Sequence, residues 1–133
     1  MNASVLLNIT NTGIANIILN RPEKHNAFDD SLIQEFITIL EKLPTDVRII
    51  LLNASGKNFC AGADLAWMQR MVNYSHAENL RDAAMLARLL KLLNGINLPT
   101  VALAHGAVYG GGIGLLSCCD IVIATQNTHF CFF

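Results

Sequence analysis

The sequence predicts an α/β protein built in layers. Three observations carry this. Short apolar runs of strand type alternate with stretches of helical period along the 133 residues. The run VRIILL at 47–52 is continuously apolar and rich in β-branched residues, which suits a strand covered on both faces, as in a parallel sheet. The composition, 53% apolar and 14% charged, gives one domain with a real core and too few charges for a disordered chain.

The elements follow in order. VLLNI (5–9) and IANIIL (14–19) flank Asn11-Thr12-Gly13 and read as a hairpin with a glycine-bearing loop. NRPEKHNAFDD is a polar loop held by Pro22. Leu32, Ile33, Phe36, Ile37, Leu40 and Leu43 then keep helical spacing. Ser31 and Gln34 fit a capping box, Asp29 and Asp30 sit at the positive end of the dipole, and Pro44 stops the helix. After the strand VRIILL comes a loop of small residues, NASGKNFCAGADL, in which Asp64 is a candidate N-cap for a helix through Met71. Ser75 and Glu78 form a second capping box, opening a long helix through about Leu93 with an apolar stripe of Leu80, Ala83, Ala84, Ala87 and Leu90. Gly95 fits the position just past its end, and Pro99 follows. TVALA restarts a strand, IGLLSC suits a helix, and IVIAT is another strand. No exact internal repeat is visible. The last residues, NTHFCFF, start like a further strand and stop without a turn, cap or charged tail, which suggests a truncated chain.

Charge and cysteine usage exclude several classes. The formal net charge is -1 and there is no basic run, so nucleic acid is not an expected partner. The four cysteines, Cys60, Cys118, Cys119 and Cys131, show no C-x-x-C spacing and read as reduced, buried thiols of a cytoplasmic protein. The N-terminus lacks the basic-then-apolar layout of a signal peptide. The low charged fraction implies that part of the chain is membrane-bound or that much of its surface is covered.

The run YGGGIG, with Gly110 to Gly112 in nearly uncharged surroundings, allows three readings. A phosphate-binding loop needs a Lys and a Ser or Thr closing the glycines, whereas Ile-Gly-Leu-Leu follows here; the dinucleotide spacing also fails. A membrane helix gains support from Gly106, Gly110 and Gly114, which recur every four residues. Yet only fourteen residues separate His105 from Asp120, five of them glycine, short of a span and without basic flanks. The third reading makes the glycines donors: a strand that ends in glycines and turns into a helix exposes free N–H groups to a close ligand. A second set is offered by Gly62 and Ala63 ahead of Asp64. Such a pair would stabilise an oxyanion. Tight turns without further purpose explain the same spacing equally well.

The segments LNRPEKHNAF, GKNFCAGADLAWM and AHGAVYGGGIGLLSCCDIVIA, in this order and at these separations, resemble the enoyl-CoA hydratase/isomerase (crotonase) family over residues 4–132. ADLAWMQRMVNYSHAEN is most similar to the bacterial methylglutaconyl-CoA and carboxygeranoyl-CoA hydratase branch. The resemblance implies that residues 1–133 are the N-terminal portion of a single crotonase-like domain, an incomplete ββα superhelix lacking its C-terminal helices. It implies an acyl-CoA thioester as substrate, coenzyme A entering only as part of it, with no metal or redox cofactor. The backbone N–H groups of Ala63 and Gly111 would form the oxyanion hole. Arg21, Lys24, Ala27, Ala61, Asp64, Leu65, Trp67 and Gly110 would line the substrate and CoA site. Trimers, often paired into hexamers, would account for the covered surface.

The chain departs from the family at its acids. Many hydratases carry a glutamate where Gly114 stands here, and a second in an F-C-x-S-E segment, where this chain reads FCFF and ends at Phe133. The expectation is therefore a hydratase by descent whose activity as this chain is very low, or a non-catalytic fragment or binding module; an isomerase or thioester hydrolase of the same family is the nearest enzymatic alternative. Other groups have blander readings. Asp64 caps a helix, Asp120 is a buried structural aspartate, His105 is a hydrogen-bonded wall residue, and Cys60 is an inert thiol. Trp67 and Met68 shape the acyl pocket or simply pack. Lys24 and His25 could meet CoA phosphates, although a lone loop lysine is usually a solvated charge.

Overall fold

The computed structural model describes residues 3–132. Strands β1 (Val5–Ile9) and β2 (Ile14–Leu19) form the expected antiparallel hairpin, with Val5 opposite Leu19. A single 3-10 turn, Pro22–Lys24, interrupts the loop that follows, with Pro22 where its missing N–H costs nothing. Helix α1 (Asp30–Glu41) then packs against β1. Its cap is Asp29, whose carboxylate accepts from the Leu32 amide at 2.8 Å, and not the expected Ser31–Gln34 box. Ser31 lies inside the helix and donates to Glu35 one turn on, because the acidic side chain one residue before the helix wins the free amides. The helix ends at Glu41, three residues ahead of Pro44.

Strand β3 (Ile49–Ala54) begins two residues later than the apolar run suggests, since Val47 is consumed by a turn in which its amide bonds Pro44 O. It pairs in parallel with both β2 and β4 (Thr100–Ala104). Ile50, Leu52 and Ala54 are buried, but the intervening side chains are half-exposed, so only one face is closed by the described residues. Helices α2 (Leu65–Met71) and α3 (His76–Gly95) lie between β3 and β4 in the chain. The Ser75–Glu78 capping box forms with both reciprocal bonds. Gly95 is the last residue of α3, not the residue beyond it; Ile96 in extended conformation ends the helix.

The expected stripe of α3 is exposed except at Leu90, which is half-buried against the core. Leu80, Ala84 and Ala87 are exposed, Ala83 is exposed also, and the buried side chains are Leu89 and Leu93, flanked by half-buried Met85 and Leu86. α3 has an alanine-rich face and a leucine-rich face. The leucine face joins the core against α1, where Leu32, Ile33, Phe36, Ile37 and Leu40 complete it. Each such side chain contributes roughly 1.5–3 kcal/mol by leaving water.

β4 is followed at once by β5 (Ala107–Tyr109), α4 (Gly111–Ser117), β6 (Ile121–Ala124) and β7 (His129–Cys131). The main sheet has the order β1-β2-β3-β4-β6, parallel from β2 onward, and β5 and β7 form a second, parallel pair. Single bridges, Cys60 to Val108 and Phe28 to Ala63, continue this second layer beside β3 and β2. Successive turns of the chain thus place one segment in each layer, a structural repeat that leaves no repeat in sequence. β5 has no counterpart among the expected elements, because a three-residue strand beside glycines carries no period to read. Its entry corner is Gly106, at φ +61°, where an added Cβ would lie 2.1 Å from the Lys57 carbonyl oxygen. Asp120 is exposed, not buried, and it accepts from the Thr100 amide at 2.9 Å. Phe133, where the family pattern would place a serine, lies outside the described residues. No described helix is long and apolar enough to cross a membrane.

Candidate active site

The site is assembled from three loops. In the first, His25 and Asn26 both take left-handed conformations, φ 54° and 55°. Fully buried Asn26 holds that geometry: its Oδ1 accepts from the Arg21 amide at 2.7 Å, and its Nδ2 donates to the carbonyls of Ser55 (2.8 Å) and Asn58 (2.9 Å). The Ala61 amide donates to His25 O at 3.0 Å. Loop 21–28 is thereby bound to loop 55–63.

Phe28 and Ala63 form a parallel bridge. The Phe28 amide donates to Gly62 O and the Asp64 amide donates to Phe28 O, each at 2.7 Å. In such a bridge the N–H of the enclosed residue points to the opposite side. The Ala63 amide accordingly meets no acceptor among the described residues. In the third loop, Gly110 adopts φ +51° and donates to Cys131 O at 2.8 Å, and α4 begins at the next residue. The Gly111 amide is at the first helical position, where no intrahelical acceptor exists, and it too is free among the described residues.

The loops pack tightly. A Cβ added to Gly62 would lie 3.3 Å from Tyr109 O, one on Gly111 would lie 2.5 Å from the Phe28 ring, and one on Gly112 would lie 2.9 Å from the Cys60 side chain. Phe28 therefore touches both free-amide segments. Next to Ala63 opens a cavity of about 350 Å³. Lys24, Ala27, Ala61, Ala63, Asp64 and Leu65 line it, together with Glu23, His25 and Ala66. Of the expected substrate- and CoA-site residues, Arg21, Trp67 and Gly110 are outside this lining. Gly110 approaches Gly62, the residue before Ala63, and Gly111 lies against the Phe28 ring. Trp67 is the buried residue of α2, donates from Nε1 to Asp82 at 3.2 Å, and borders a separate cavity of about 460 Å³. Leu65 and Met68 are exposed.

Arg21 is engaged internally. Its Nη1 donates to Ala27 O at 2.8 Å and lies 3.2 Å from Asp29, and its Nη2 lies 3.4 Å from Asp64 Oδ2. Asp64 also caps α2 by accepting from the Trp67 amide at 2.9 Å. Burial works against its charge, but the Trp67 amide, the Arg21 guanidinium and the Ala66 amide outweigh it and hold its pKa below the usual value. Asp64 is thus a committed carboxylate and a poor proton acceptor. Burial pushes the Cys60 thiol up to about 12, only partly offset by the Gly62 amide, which makes it inert at neutral pH. His105 Nε2 is 2.8 Å from Gly56 O. Gly114 is half-buried, with space for a Cβ 3.6 Å from the Leu90 methyls.

Comparison with known proteins decides the assignment. The Enoyl-CoA hydratase/isomerase family profile matches residues 9–132. The chain belongs to the enoyl-CoA hydratase/isomerase family. It is 37% identical over 123 residues to the hydroxycinnamoyl-CoA hydratase-lyase of Pseudomonas fluorescens, covering 89% of this chain and 44% of that protein. It is 31% identical over 129 residues to the mitochondrial Delta(3,5)-Delta(2,4)-dienoyl-CoA isomerase of Dictyostelium discoideum, covering 90% and 44%. A solved enoyl-CoA hydratase of Shewanella pealeana superposes with a TM-score of 0.92 at 43% identity, over 96% of this chain and 48% of that one. A Legionella pneumophila structure assigned to the enoyl-CoA hydratase/isomerase (crotonase) class gives 0.93 at 42% identity, over 98% and 51%. The fold is therefore the crotonase fold, and the chain spans about half the length of the curated relatives it matches. Glu23 at the cavity edge, Asn26 under the loop and Phe28 between the donors carry no site signal in the sequence reading. Phe28 has the clearest latent one: an aromatic two residues after a loop asparagine, with two glycine loops to separate, is a spacer.

Proposed function

We propose that this chain binds an acyl-CoA thioester and stabilises its enolate between the backbone N–H groups of Ala63 and Gly111, the oxyanion step of an enoyl-CoA hydratase. The observation that carries the reading is the pair of free amides on touching loops, both braced by Phe28. Adding water to an α,β-unsaturated thioester moves negative charge onto the thioester oxygen, and each well-aimed amide is worth roughly 3 kcal/mol there. The cavity beside Ala63, with Lys24 at its edge, suits the CoA portion; no resident cofactor is required. The similarity of residues 63–79 to the methylglutaconyl-CoA branch favours a branched acyl group.

Proton transfer needs a positioned carboxylate. Asp64 is committed elsewhere, and position 114 is glycine. Hydration by this chain is accordingly expected to be slow, with a non-catalytic binding module as the alternative reading. Isomerisation is the second reading, favoured by the dienoyl-CoA isomerase among its relatives. Exposed Leu80, Ile121, Ile123 and Phe130 support self-association. The test is a two-part assay of the purified chain: calorimetric titration with an enoyl-CoA, then loss of enoyl absorbance over hours. Binding with negligible turnover supports the proposal. Turnover at the rate of a whole family hydratase contradicts the account of the carboxylates, and absence of binding contradicts the site.

A further inference from the structure

The family resemblance makes Arg21 a CoA contact, but its geometry is that of an internal clamp. We propose that Arg21 is a positioning residue that holds the Ala63 amide in place. This rests on the proposed oxyanion site and goes beyond it. Three oxygens share the guanidinium: Ala27 O, Asp29 Oδ2 and Asp64 Oδ2. The other oxygen of each carboxylate caps a helix, Asp29 Oδ1 at the Leu32 amide and Asp64 Oδ1 at the Trp67 amide. One side chain thus joins the starts of α1 and α2. Residues 27 and 29 flank Phe28 and residue 64 follows Ala63, so Arg21 ties together the two strands of the bridge that directs the free Ala63 amide.

Charge argues the same way. Two carboxylates against one guanidinium leave the cluster with a net charge of -1, unfavourable for a CoA phosphate. The Arg21 side chain is only 15% exposed, whereas Lys24, on the cavity edge, is exposed and makes no ion pair among the described residues. A planar fork can serve three acceptors in fixed directions; the ammonium of lysine, a point charge on a flexible stem, does not reproduce that geometry.

The test compares wild type, Arg21→Met and Arg21→Lys as full chains. It reads amide exchange and shifts by NMR, and binding of free CoA and of an acyl-CoA by calorimetry. In Arg21→Met, exchange of the Phe28 and Asp64 amides accelerates about ten-fold, with shift changes centred on residues 61–66. Acyl-CoA affinity falls about ten-fold more than free CoA affinity does. Arg21→Lys restores the charge but neither the exchange rates nor the acyl-CoA affinity; if Arg21→Met does not fold, this variant alone carries the test. An equal fall in free CoA affinity, with residues 61–66 undisturbed, would make Arg21 a ligand and overturn the proposal. Rescue by lysine would also overturn it. If wild type binds neither compound, the oxyanion reading fails, and the exchange data still decide whether Arg21 fixes Ala63.

Discussion

The Phe28 ring occupies the space in which a side chain on Gly111 would begin: an added Cβ would sit 2.5 Å from the ring edge. Phe28 is 1% exposed and pairs with Ala63 through its backbone, so the ring cannot swing away freely. Gly111→Ala is expected to cost about 1–3 kcal/mol by overpacking. Urea denaturation measures it. Combined with Phe28→Leu, the cost of the alanine should shrink, giving a coupling of about 1 kcal/mol in a double-mutant cycle. Strict additivity would show that the two residues do not share that space.

Asp64 makes acid stability a second test. Its folded pKa is lowered, so the stability it contributes is present above its unfolded pKa, near 3.9, and is lost as pH falls through the lower folded value. Asp64→Asn keeps a cap acceptor but removes the titration and the Arg21 ion pair. The variant should melt lower than wild type at pH 7, and the difference should narrow below about pH 4. A constant difference across that range would show that the loss does not depend on the carboxylate's charge.

The register of α3 can be checked by a pair of leucines. Leu89→Ala removes a side chain that is 0% exposed and should cost about 2–5 kcal/mol. Leu80→Ala, at a position 61% exposed, should stay within about 0.5 kcal/mol. Reversed costs would restore the stripe read from sequence.

The strands other than β5, and α2, are legible in the sequence because their signals are local. Asp64 before an apolar run and Ser75 with Glu78 read as helix starts, and both are. The misreadings share one cause. Leu80-Ala83-Ala84-Ala87 and Leu86-Leu89-Leu93 are both apolar faces of one helix, and only packing against α1 chooses between them. The cap of α1 is ambiguous for a similar reason, since Asp29 and Ser31 are both good caps and compete for the same amides. At the site, the glycines and Asp64 can be read, but the engagement of Arg21 cannot. It depends on Asp29 and Asp64, 35 residues apart in sequence, reaching one guanidinium.

Cysteine reactivity gives a fourth expectation. With Cys60 fully buried and its thiol pushed up to about 12, iodoacetamide at mildly alkaline pH should label it last of the four cysteines in the native chain. Peptide mapping after timed quenching measures the order. Early labelling of Cys60 would mean that the wall behind Gly112 opens readily.

The most direct test of the account is an NMR titration of the chain, labelled with nitrogen-15, with an acyl-CoA, using free CoA as the control. The account expects the Ala63 and Gly111 amide resonances to move downfield together with the thioester and to stay in place with free CoA, which should perturb only residues around Lys24, Ala27 and Ala61. Identical responses to both ligands, or a thioester response that leaves Ala63 and Gly111 unmoved, would contradict it.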